Sequence, residues 1–75
     1  MTRFRSNMKQ LLLEKSVQQG YPISLVEVAK NTGLSSPAVS RWFNDEVQRI
    51  DAESAAAFIE YFDVSLNVLV DVVVE

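Results

Sequence analysis

Apolar residues along this chain come in short groups, and four of the groups open in the same way. An apolar residue precedes a small polar one, and another apolar residue follows in the next turn: Ile23-Ser24 with Val28, Leu34-Ser35 with Val39, Ile50-Asp51 with Ala55, and Val64-Ser65 with Leu69. A Ser or Asp at such a place accepts an amide N–H from the first turn of a helix. The flanking apolar pair closes over that turn and fixes how the chain enters it. The pattern predicts helices starting near Leu25, Ser36, Ala52 and Leu66. A further helix is predicted over residues 3–19, starting near Arg3. There Phe4, Met8, Leu11, Leu12 and Lys15 follow the spacing of one buried face. Gly20 stops that helix and Tyr21-Pro22 prevents its continuation. The fourth helix runs to about Phe62 and buries Ala55, Phe58, Ile59 and Phe62. The expectation is an all-α, five-helix domain with Trp42 largely buried and no strand between residues 4 and 62.

The last six residues change character. In Val70-Asp-Val-Val-Val-Glu75 the β-branched residues dominate, and Val70, Val72 and Val74 alternate with Asp71, Val73 and Glu75. Period two with β-branching predicts a short extended segment. The chain therefore divides into a helical domain, 1–69, and a tail, 70–75. Helices one to four are needed to close a small core, which leaves the tail's valines as the candidate dimerisation segment. Val70, Val72 and Val74 are expected against the body and Val73 outward, with two tails pairing antiparallel across a twofold axis. The same residues can instead continue helix five or stay on their own monomer.

The stretch from Leu25 to Phe43 organises the rest. Ser24 and Glu27 form a capping box. Gly33 ends the second helix, where a left-handed backbone costs Gly nothing. Ser35 caps the third, and Pro37 falls in its first turn, where a missing N–H is tolerated. Ala29 lets the two helices cross closely. Two short helices around a tight glycine turn make a helix-turn-helix. On the third helix Val39, Trp42 and Phe43 point inward, while Ser36, Pro37, Ser40, Arg41 and Asn44 fall on the other side. A helix fits the major groove of DNA. There an Arg such as Arg41 can give two hydrogen bonds to a guanine, and a Ser hydroxyl can donate or accept.

Ala29, Gly33, Val39 and Trp42 match the spacing of the helix-turn-helix of lambda-repressor-like (Cro and XRE type) DNA-binding domains. Arg41-Trp-Phe-Asn44 followed by Arg49-Ile-Asp51 is similar to that family's recognition helix, loop and fourth-helix start. The resemblance covers roughly Phe4 to Leu69. It implies a homodimer that binds double-stranded DNA with one recognition helix per half-site and regulates transcription, with repression as the expected outcome. It also implies that Ser36, Pro37 and Ser40 face base edges and that Asn44 meets a phosphate. Two positions depart from the family. Leu25 stands where many members carry a phosphate-contacting Gln. Asp45, followed by Glu46, stands where the loop usually has Gly. Two carboxylates beside a phosphate backbone are repulsive unless they point away.

Charge sharpens this picture. The net charge is −3. Residues 1–44 nevertheless carry six cations against two acids, and residues 45–75 one cation against eight acids. The basic half contains the helix-turn-helix, as a DNA-facing surface requires. Arg3, Arg5 and Lys9 are candidate phosphate contacts, and the N-terminus of helix two at Ser24 is another. Plain capping by Ser24 and a solvated N-terminus are the competing readings. With no Cys and no His there are no disulfides, thiolate chemistry or common zinc sites, which fits a cytoplasmic protein. There is no Gly-rich phosphate loop and no acidic cluster with metal spacing, so neither an enzyme nor a cofactor is expected. No stretch approaches the roughly 20 apolar residues of a membrane span. The rival function is a protein-interaction module on the same fold, an antitoxin or antirepressor, that grips a protein partner through the acidic half. A weaker third reading is a helical fragment that stabilises a larger assembly.

Overall fold

A computed structural model describes residues 2–74. Its elements run β1 (Thr2–Ser6), α1 (Met8–Gln19), α2 (Leu25–Thr32), α3 (Ser36–Phe43), α4 (Ala52–Phe62), α5 (Leu66–Leu69) and β2 (Val70–Val74). Four helices start where the cap pattern places them. Ser24 Oγ accepts the Glu27 N–H at 3.2 Å, Ser35 Oγ the Ala38 N–H at 3.3 Å, and Asp51 the Ser54 N–H at 2.9 Å. The fourth cap works differently: Ser65 Oγ donates to the Asn67 side chain and makes no bond to the α5 backbone. Gly20 and Gly33 take left-handed backbones at φ 81° and 75° and end α1 and α2.

The core gathers the second apolar residue of each cap pair. Val28, Val39, Ala55 and Leu69 are buried together with Met8, Leu12, Ile23, Trp42, Phe58 and Val70. Trp42 meets Phe58 with ring centroids 5.1 Å apart, so α3 is clamped to α4 through two aromatic rings. Lys15 ties α1 to the end of α4: its ammonium donates to the Tyr61 carbonyl at 3.2 Å and stands 4.7 Å over the Tyr61 ring. A cation at that helix end offsets its negative dipole. Ser16 holds the long α1–α2 connection in place, accepting the Ile23 N–H at 3.2 Å while donating to the Leu12 carbonyl at 2.8 Å.

The ends of the chain correct two expectations. Residues 3–6 are not the first turn of helix one but most of a strand. Thr2–Ser6 pairs antiparallel with Val70–Val74, from Thr2 opposite Val74 to Ser6 opposite Val70. The arm Thr-Arg-Phe-Arg-Ser fits both the period of a helix entering Met8 and that of a strand. The valine tail decides, because it supplies a partner edge and places Val72 opposite Phe4. The turn between β1 and α1 is locked by the backbone N–H of Asn7, which donates to the Leu69 carbonyl at 2.9 Å.

The tail is extended, as its alternation predicts, but it lies on its own monomer through β1, and of the three valines expected against the body only Val70 is covered. Val70 is 7% exposed, whereas Val72 and Val74 are 62% and 77% exposed and Val73 is half-buried. The ribbon meets the core through Val70 and through Phe4, which is half-buried and packs against it, while Val72 and Val74, on the same strand face as Val70, stay in solvent. The ribbon runs out along a molecule of 39 × 22 × 19 Å. Glu75, the last residue of the predicted alternation, lies outside the described residues.

Candidate nucleic-acid interface

The third helix presents the two faces expected of a reader. Val39 and Trp42 are buried and Phe43 is half-buried, which fixes the helix against the core. Ser36, Pro37, Arg41 and Asn44 are exposed and Ser40 is half-buried. At 3.6 residues per turn these five side chains span roughly 140° of arc. Asn44 Nδ2 donates to Ser40 Oγ at 3.3 Å, so the end of this face is partly ordered before any ligand arrives. The helix holds its direction through its ends: the Ser35 cap and Pro37 at one, the Asn44 N–H on the Ser40 carbonyl at 2.9 Å at the other.

Beside this face runs an open cleft lined by Arg3 from β1, Arg41 from α3, and Glu46 and Arg49 from the loop to α4. The structure thus brings together Arg3 and Arg41, which are distant in sequence, and adds Arg49. Sequence reading placed Arg49 only at the start of the fourth helix; its position just before the Ile50-Asp51 cap was the available signal. Lys9 is exposed on α1 and stands 5.5 Å over the ring of Phe43, at the end of α3. Ser24 caps α2 and remains exposed. Leu25, where a phosphate-contacting Gln is common, is half-buried and packs against the core, so its side chain serves the fold.

Arg5 sits apart from the cleft. Its guanidinium donates to Asp71 at 2.9 Å across the ribbon. That contact raises the Arg5 pKa and, with a hydrogen bond from Asn7, holds the Asp71 carboxyl below its usual range. Asp45 is also engaged internally. One carboxylate oxygen accepts the backbone N–H of Ser6 at 2.7 Å, and the other lies 3.5 Å from Arg3 Nη1. Its backbone is left-handed, φ 59°, a region that favours Gly, the residue usual at this loop position in the family. Asp and Asn tolerate that region better than other side chains. The Asp45 carboxylate therefore reaches for β1 instead of standing unpaired beside the reader. Asp51, further along the loop, is held below the usual carboxylate range chiefly by the Ser54 amide that it caps.

Val70, Val72, Val73 and Val74 are brought together in β2. Among the described residues β2 has one strand neighbour, β1. The Ser6 N–H points off the ribbon to Asp45, so by the alternation of antiparallel pairing the backbone groups of Phe4 and Thr2, and of Val72 and Val74 opposite them, also turn outward. On the β2 side this leaves an unpaired edge flanked by two exposed valines.

A family model described as helix-turn-helix matches residues 8–69, from the start of α1 to the end of α5. No curated protein and no solved structure matches the chain. No helix among the described residues is long and apolar enough to cross a membrane. The match spans most of the chain and includes the capped α2–α3 pair whose outer face has just been described. The chain belongs to the helix-turn-helix family of the Cro and C1 type, DNA-binding regulators of transcription rather than enzymes.

Proposed function

We propose that this protein is a cytoplasmic repressor that binds a twofold-symmetric site on double-stranded DNA as a homodimer. The observation that carries the reading is the α3 face: a polar stripe ending in Arg41, backed by buried Val39 and Trp42 and flanked by the arginine-lined cleft. Arg41, Ser36, Pro37 and Ser40 read base edges in the major groove. Arg3, Lys9, Ser24 and Asn44 hold phosphates, with Arg49 as an addition from the cleft. Arg5 is the weakest member of the phosphate set, because Asp71 competes for it. Two copies meet along β2, through its open edge and the exposed side chains of Val72 and Val74, with Val70 anchoring the ribbon to the core and Val73 on its opposite face.

The competing interaction module drew its support from the acidic half. Three of that half's eight acids, Asp45, Asp51 and Asp71, already have internal partners, which weakens it. The two readings separate in a titration with duplex DNA of random sequence at low salt. A reader with this basic face binds weakly, and its affinity falls steeply with added salt, because salt lowers the free energy gained when binding releases counterions from the DNA. An acidic-surface module gives no salt-dependent binding, and that result overturns the proposal.

A further inference from the structure

The corner where β1 turns into α1 is the place where the two ends of the chain and the reader meet. Ser6 closes the strand and its hydroxyl accepts the Met8 N–H at 3.2 Å, which starts α1. Asn7 donates through its side chain to the Val68 carbonyl at 3.0 Å and to Asp71 at 3.2 Å, which joins the corner to α5 and β2. On the other side, the Ser6 N–H donates to Asp45 at 2.7 Å. Asp45 lies directly after α3, bound back to it through its own N–H on the Trp42 carbonyl at 3.4 Å and the Glu46 N–H on the Arg41 carbonyl at 2.9 Å. This carboxylate ties the loop that ends the reader to the ribbon. The short bond to a backbone amide is charge-assisted and directional. The Arg3 contact is longer and joins two half-exposed groups, so it contributes little.

We infer that Asp45 is a positioning residue: by holding the Ser6 amide it fixes the angle between the recognition helix and the β1–β2 ribbon, and so the separation of the two recognition helices in the dimer. The inference rests on the dimer proposed above. One edge of the ribbon is held to the reader by Asp45 and the other is the edge on which two copies meet. Every displacement of the ribbon relative to α3 is therefore doubled across the twofold axis. DNA admits half-sites only about 34 Å apart or at multiples of that distance, so a loose joint lets the two readers miss their register. The usual loop glycine supplies the left-handed backbone without the tie. Asp at this position supplies both.

The test is the distance between recognition helices in solution. The chain has no native cysteine, so Ser36→Cys gives one spin-label site per chain at the start of α3. Pulsed electron-spin distance measurements are made on the full chain with Asp45, with Asp45→Gly and with Asp45→Asn. Gly keeps the left-handed backbone and removes the acceptor; Asn keeps the acceptor oxygen and removes the charge. Trp42 emission confirms that each variant is folded. The expected result is one narrow distance with Asp45, a broadened or shifted distribution in Asp45→Gly, and recovery of the narrow distance in Asp45→Asn. An unchanged distribution in Asp45→Gly overturns the positioning role. An Asn variant as broad as Gly overturns the assignment to the Ser6 hydrogen bond. If the parent gives no distance between labels, the dimer reading itself fails, a different result from either of these.

Discussion

Asp51 shows how one side chain can do a structural job and record it in its titration. Its carboxylate caps α4 on the Ser54 amide, and that bond lowers its pKa. Asp71 is lowered for a different first cause, the hydrogen bond from Arg5. Both groups hold protons less tightly in the folded chain than in the unfolded one. Their stabilising contribution is therefore complete above the ordinary carboxylate value of about 3.9 and is lost as pH falls through that value toward the lowered folded one. Replacing Asp51 by Asn keeps a capping oxygen and removes the titration. The expected outcome is that urea midpoints, followed by Trp42 fluorescence, fall less between about pH 5 and pH 3 in Asp51→Asn than in the parent. Asp51→Ala removes the cap at every pH and is expected to cost about 1 kcal/mol at pH 7. An Asn variant with an undiminished acid slope would assign that slope to other groups. Glycine-like backbones at this scale were not legible in the sequence. Asp45 and Asp63 both take positive φ, at 59° and 55°. A lone Asp tolerates that conformation without announcing it, and only the Ser6 amide on the far side of the fold reveals why Asp45 does so.

Among the elements, the α2, α3, α4 and α5 starts were legible because their signals are local. A cap and its apolar pair lie within six residues, and each of those four helices begins where its cap says. The first strand was not legible, because what makes it a strand is β2, at the other end of the chain. Phe4 sits four residues before Met8, which reads equally well as a helical step. How far the body covers the tail was hidden for the same reason: alternation fixes which residues share a face but not how much of that face is buried. The corrected geometry changes how the dimer is tested. A chain ending at Leu69 would lose buried Val70 and the partner of β1 along with the open edge. Val72→Glu together with Val74→Glu leaves the ribbon's pairing and Val70 in place and puts charge on the exposed face. Sedimentation equilibrium is expected to give twice the chain mass for the parent and the single-chain mass for the folded double variant. A double variant as dimeric as the parent places the interface elsewhere.

Over the whole molecule, the sequence shows a basic half and an acidic half, and the structure stitches them together with ion pairs among the described residues. Arg5 meets Asp71, and Arg3 meets Asp45. Part of the charge contrast is therefore internal to the fold, while Lys9, Lys30, Arg41 and Arg49 remain exposed side chains that face solvent. The binding face was legible to the extent that α3 could be drawn as a helix with a dry side and a wet one. The cleft was not, since it needs β1 and the loop before α4 to come beside Arg41. The central claim is that α3 reads sequence, and that Arg41 does more than attract phosphate. The direct measurement compares parent and Arg41→Ala on a duplex selected by the parent from a random library and on an unselected duplex, each across a range of salt. The expected result is a loss of about 1–3 kcal/mol on the selected duplex, with preference flattened at one or two base pairs and non-specific binding little changed. An equal loss on both duplexes, with the salt slope reduced by about one, would make Arg41 a phosphate contact and contradict the account.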